Sequence, residues 1–106
     1  MAIAEVFTYN PRPGGTEQFL SHTKRADKIL RALGATTRTF TSVAGGATPN
    51  AFVYVLETPN WRAQGELSAK LDTDSDWRKF LTDVSSNEKP AVDLVSSAVY
   101  AEIPLG

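Results

Sequence analysis

The chain has 106 residues, 42% of them hydrophobic and 22% charged, a balance that suits one globular domain over 1–106 and excludes a disordered or collagen-like chain. Eleven Lys and Arg stand against twelve Asp and Glu for a net charge of −1, so there is no electrostatic case for nucleic acid, whose binding needs clustered positive charge. The absence of Cys excludes disulfides, zinc-thiolate sites, iron–sulfur clusters and thiol nucleophiles. Met1-Ala-Ile-Ala-Glu5 lacks the basic start and apolar run of a secretory signal. No apolar stretch approaches the roughly 20 residues of a membrane span, so a cytoplasmic protein without membrane contact is expected.

Residues 2–9 alternate imperfectly, with Ile3, Phe7 and Tyr9 opposed by Ala4, Val6 and Thr8, and read as a strand buried largely on both sides. Asn10-Pro-Arg-Pro-Gly-Gly15 then forces a connecting loop. From Thr16 to Leu33, at about 100° per residue, Phe19, Ala26, Ile29, Leu30 and Leu33 fall on one helical stripe. His22 lies within that stripe, and Gly34 can take the left-handed conformation that closes a helix. Residues 36–43 and 51–57 read as strands rich in β-branched residues, joined by the turn residues of 44–50.

Asn60 is a good N-cap for a helix beginning at Trp61, in which Trp61, Gln64, Leu67, Ser68 and Leu71 share a face. Thr73-Asp-Ser-Asp76 has the spacing of a capping box and predicts a second helical segment to about Val84, burying Trp77, Phe80, Leu81 and Val84. A polar loop over 85–90 leads to a last strand over 91–103, with Val92, Leu94 and Tyr100 expected on one face and Val95, Val99 and Ile103 on the other. The order strand, helix, strand, strand, split helix, strand predicts an α+β ferredoxin-like βαββαβ fold, an antiparallel sheet with helices on one face. The other face would be bare in a monomer yet is largely apolar, which predicts a homodimer packed sheet to sheet.

With this element order, Ile29-Leu-Arg-Ala-Leu-Gly-Ala35 at the end of the first helix, Trp61 opening the second, and Asp74-Ser-Asp-Trp-Arg-Lys-Phe80 beyond it, nearly the whole chain resembles the dimeric α/β-barrel superfamily. Within that group, which includes antibiotic-biosynthesis monooxygenase-like, muconolactone-isomerase-like and EthD-like domains, it looks most similar to NIPSNAP-like domains. The resemblance implies a pocket between sheet and helices and admits cofactor-free oxygenases, haem-degrading enzymes, isomerases and non-catalytic binding domains. In the haem-degrading branch an Asn on the first strand, a Trp and a His serve the chemistry. Asn10 and Trp61 match two of these, but His22 sits on the first helix, and the departure keeps that chemistry from being carried over.

Among residues able to do chemistry, His22 is the one whose type has an unperturbed pKa near neutrality, and it is the candidate general base or acid. The competing reading is a half-buried histidine bonded to a backbone carbonyl or a tyrosine. Arg38 could hold a substrate oxyanion, or pair at a sheet edge with a carboxylate such as Glu57 or Glu102. Tyr9, Tyr54 and Tyr100 could turn hydroxyls toward a ligand or fill a core or an interface. Trp61 is the candidate pocket wall and Trp77 the candidate core residue. One His and scattered carboxylates offer no metal-ligand spacing, so neither metal nor cofactor is expected. Together with these residues, the resemblance implies a cofactor-free monooxygenase-like enzyme acting on a hydrophobic or aromatic molecule. The alternatives are a domain that binds such a molecule without converting it, and a dimerisation module whose cavity is closed by Phe52, Tyr54 and Trp61.

Overall fold

Strand β1 (Ile3–Pro11) turns Ile3, Glu5, Phe7 and Tyr9 to one side, and Ile3 is fully buried. A computed structural model of the protein describes residues 1–46, 50–86 and 89–106. The predicted turn at 44–50 and loop at 85–90 lie partly outside these. Helix α1 (Thr16–Ala32) follows, then β2 (Thr36–Thr41), β3 (Phe52–Thr58), α2 (Trp61–Thr73), α3 (Ser75–Ser85) and β4 (Val92–Ala101). The strands form one sheet in the order β2-β3-β1-β4, every neighbouring pair antiparallel. This is the ferredoxin-like α+β arrangement expected from the element order.

Local chemistry explains the element ends. Gly34 closes α1 with φ at 101°, and Ala35 N–H returns to the Leu30 carbonyl at 3.0 Å. Asn60 caps α2 by accepting the Ala63 N–H at 2.8 Å. The capping-box reading is corrected by one residue: α2 runs on through Thr73, and Asp74 caps α3 by accepting the Trp77 N–H at 2.8 Å. Asp74 suits this place because its extended backbone breaks the helix while its carboxylate meets the positive end of α3.

The last strand also differs from expectation, covering ten residues rather than thirteen. Between Thr8 and Tyr9 the β1–β4 register shifts, so that Tyr9 faces Leu94 while Thr8 faces Ser96. The extra residue, Val95, reverses the strand's parity. Val92 and Leu94 therefore share the helix side with Tyr9, and Tyr100, opposite Ala4, faces away from the helices.

The core sits between the sheet and the helices, with Leu30, Ala35, Tyr54, Leu56 and Leu67 in one cluster and Phe19, Phe52 and Ala91 in another. Each such large apolar side chain contributes on the order of 1.5–3 kcal/mol by leaving water. Helix α1 packs on α3 and β2, and α2 packs on β3. The loop before α1 is pressed against the start of β4: Arg12 N–H donates to the Ala91 carbonyl at 2.9 Å, and a Cβ on Gly15 would lie 2.1 Å from that same oxygen.

Two glycine substitutions should therefore have opposite signs. Gly15→Ala drives a methyl into backbone and is expected to lower the unfolding free energy by about 1–3 kcal/mol. Gly65→Ala, in the interior of α2 with open space around it, is expected to raise it by about 1 kcal/mol. Urea unfolding of both variants checks the pair.

Candidate functional site

Helices α1, α2 and α3 do not close fully on the sheet. A cavity of about 700 Å³ remains, floored by Glu5, Phe7, Tyr9, Tyr54 and Leu56 and roofed by residues of all three helices, among them His22, Ala26, Gln64, Leu67, Trp77 and Phe80. A volume of this size suits a drug-sized ligand, and walls of this kind favour an apolar one.

His22 reaches the roof because it shares the inward stripe of α1. It is half-buried, and its ring stands edge-on to Phe80 with centroids 6.5 Å apart. Among the described residues no hydrogen bond engages its ring nitrogens. Phe80 is held from behind by Arg25, whose guanidinium lies 5.5 Å from the ring centroid and pairs with Asp83 at 2.8 Å. The α1–α3 contact therefore fixes the wall that His22 faces.

Tyr9 lines the far floor, its ring 5.2 Å from that of Phe19, and burial raises its hydroxyl pKa. Tyr54 lines the middle of the floor and sends its hydroxyl to Asp27, 3.4 Å from Oδ1. Asp27 also accepts the Thr37 hydroxyl and, at 2.9 Å, Arg31 Nε, while Arg31 Nη2 donates to the Thr37 carbonyl at 2.7 Å. Burial works to raise the Asp27 carboxyl, but the hydrogen bonds of Thr37 and Arg31 and the Arg31 charge outweigh it, holding it below its ordinary value. Burial is the main cause of the rise at Tyr54, with the Asp27 charge adding and a Thr37 hydrogen bond opposing, and the hydroxyl is pushed up to about 12.

Of the residues singled out in the sequence, the cavity brings together His22, Tyr9 and Tyr54. The other four lie elsewhere. Arg38 faces away from the helices opposite Val55, pairs with Glu57 at 3.2 Å and lies over the Phe40 ring, which is the edge-pairing alternative. Asn10 is exposed on the outward parity of β1, opposite Asp93. Tyr100 is 58% exposed on the outward face, and Trp61, in the first turn of α2, is 56% exposed. Trp77, expected in the core, packs against it and also lines the cavity, where Trp61 was expected.

Sequence reading did not single out Glu5, Asp27 or Thr37, and placed Gln64 on a face without assigning it a role. Glu5 carried a signal, being a charge on the inward parity between Ile3 and Phe7. A second hollow of about 480 Å³ lies at the β2 edge, where Leu20 and Phe40 line it together with Lys24, Asp27, Arg31 and Arg38. Among the described residues no three His, Cys, Asp or Glu converge on a possible metal site, and no helix is long and apolar enough to cross a membrane.

The fold and the cavity define a ferredoxin-like α+β domain with a ligand-sized hollow beneath its helices. It has the fold of the NIPSNAP-like domain proteins. An uncharacterised NIPSNAP-like domain protein from Burkholderia xenovorans is 20% identical, with a TM-score of 0.68 over 99% of this chain and 88% of its own. A NIPSNAP family protein of unknown function from Agrobacterium tumefaciens is 18% identical, with a TM-score of 0.70 over 99% and 91%. A mutant of SnoaB, a cofactor-independent oxygenase from Streptomyces nogalater, is 12% identical, with a TM-score of 0.65 over 98% and 96%. At these identities the likeness is one of fold. No protein-family model matches the chain, and no curated protein matches it.

The Tyr54 environment makes a prediction at high pH. Its hydroxyl rises from 10.0 to about 12 in the folded protein, so the stability tied to its neutral form is complete below pH 10 and is lost as pH rises toward 12. An ultraviolet titration should show a tyrosine ionising near pH 12, and Tyr54→Phe should remove that component together with part of the alkaline loss of stability.

Proposed function

We propose that the protein is a small homodimeric domain, one domain over 1–106, that takes a hydrophobic aromatic molecule into the cavity and acts on it as a cofactor-free monooxygenase-like enzyme. The observation that carries this reading is the unengaged His22 imidazole in the roof of an otherwise largely apolar cavity of about 700 Å³. His22 takes a proton from an acidic methylene of the substrate, leaving a carbanion delocalised as an enolate. The neutral Tyr9 hydroxyl donates to the enolate oxygen. Dioxygen accepts the electrons, a C–O bond forms, and His22 returns its proton to the peroxide. Loss of water from the hydroperoxide leaves a ketone, so one oxygen atom enters the product and the other leaves as water. Arg38, on the opposite face of the sheet, takes no part.

A non-catalytic binding domain is the second reading. It is supported by the engagement of two polar floor groups, Tyr54 with Asp27 and Glu5 with Gln64, and among the described residues no second side chain is hydrogen-bonded to His22 to form a catalytic pair.

The homodimer rests on the outward sheet face. Val6, Val53 and Val55 form its centre, with Phe40 48% exposed and Tyr100 58% exposed at its sides, an apolar patch of the kind that marks an interface. Packing two such faces together completes a dimeric α/β barrel.

Two experiments test these readings. Anthrone, with an acidic methylene, is the probe substrate, and oxygen uptake with anthraquinone formation is the readout. His22→Ala is expected to lose about 10²-fold or more in rate while binding naphthalene as the wild type does. An unchanged rate overturns the role of His22, and binding without turnover in the wild type selects the non-catalytic reading. In sedimentation, the wild type is expected as a dimer and Val55→Asp as a monomer; a monomeric wild type contradicts the interface.

A further inference from the structure

One part of the cavity wall is not apolar. Glu5 stands on the helix side of β1 between Ile3 and Phe7, opposite Leu56 on one neighbouring strand and Val99 on the other. A carboxylate in such surroundings is costly unless hydrogen-bonded or paired. Gln64 supplies one partner: its Nε2 donates to Glu5 Oε1. The amide is oriented from behind by the buried Thr58, whose hydroxyl donates to Gln64 Oε1 at 3.0 Å. Because a carboxylate only accepts, the amide nitrogen must face Glu5 and the amide oxygen must face Thr58.

This chain of three residues holds Glu5 in place but uses only part of its capacity. An ionised carboxylate has about four acceptor sites. Among the described residues no cation lies within ion-pairing distance of Glu5 and no donor reaches its second oxygen. That capacity is open to whatever occupies the cavity that Glu5 lines.

Resting on the reading that the cavity binds an aromatic molecule, we infer that Glu5 is a head-group subsite that accepts a hydrogen bond from a hydroxyl on the ligand and rejects ligand carboxylates. The spacing sets the ligand's shape. Glu5 and Tyr9 are four residues apart on one strand face, roughly 13 Å. His22 lies one turn along α1 from Phe19, which touches Tyr9. An elongated bicyclic or tricyclic phenol spans these groups, with its hydroxyl at the Glu5 end and its far ring beneath His22.

The test uses naphthalene, 2-naphthol and 2-naphthoate as probes, with affinities measured by calorimetry on the wild type and on Glu5→Gln. That substitution preserves size and leaves an oxygen to accept from Gln64, while turning an amide N–H into the cavity. Wild type is expected to bind 2-naphthol about tenfold more tightly than naphthalene and 2-naphthoate more weakly than either. In Glu5→Gln the naphthalene affinity and the melting temperature are expected to hold, the naphthol advantage to disappear and 2-naphthoate to gain. If 2-naphthol has no advantage in the wild type, or keeps it in Glu5→Gln, the subsite is overturned and the cavity reading stands. If naphthalene itself does not bind, the cavity reading falls and the subsite with it.

Discussion

The Asp27 carboxylate is where the first helix, the edge strand and its neighbour meet. It receives the hydroxyls of Thr37 from β2 and Tyr54 from β3 and the guanidinium of Arg31 from the next turn of its own helix. Arg31 continues to the Thr37 carbonyl, a backbone acceptor on β2. Burial alone would raise the carboxyl, but these donors more than offset it, so the charged form is the one the fold holds. At the other end of α1, Gly15 lies flush against Ala91 at the start of β4. The helix is thus held by Asp27 in its C-terminal half and by Gly15 at its start, and between them His22 and Ala26 line the cavity.

The cavity depends on this arrangement and on the break at Asp74. A continuous helix from Trp61 to Ser85 could not both lie on β3 and turn back to α1. With Asp74 capping a new segment, α3 reaches α1 through Arg25–Asp83 and sets Trp77 and Phe80 into the roof. Two of the polar groups that enter this apolar space have a visible support: Tyr54 on Asp27, and Glu5 on Gln64 and Thr58. His22 is different, standing edge-on to the Phe80 ring with no hydrogen bond among the described residues to fix it. A group left in that condition is free to exchange a proton with a bound molecule, which is the basis of the function proposed for it.

Much of the architecture was legible because periodicity carries it. Alternation along β1 separated Ile3, Phe7 and Tyr9 from Ala4, Val6 and Thr8 correctly, the stripe of α1 placed His22 inward, and Asn60 and Gly34 marked helix ends through their own backbone chemistry. The site was harder to read. Arg38 and Phe40 could not be assigned to a face, because β2 reverses the usual pattern by turning Thr37 inward to meet Asp27 and leaving its larger side chains outward. Tyr100 changed sides through the bulge at Val95, which follows from pairing with β1 and leaves no trace in composition. Trp61 is exposed at the first position of its helix, whereas Trp77 follows the Asp74 cap by three residues and lines the cavity. Asp27 and Gln64 gained meaning only from partners far along the chain.

The central claim is that the space between sheet and helices is a ligand site, and a crystal structure of the protein grown with 2-naphthol tests it most directly. The expected result is the aromatic rings bound between the floor formed by Phe7 and Tyr9 and the roof formed by His22 and Trp77. A space filled by the protein's own side chains, or naphthol bound only on the outer surface, would contradict it.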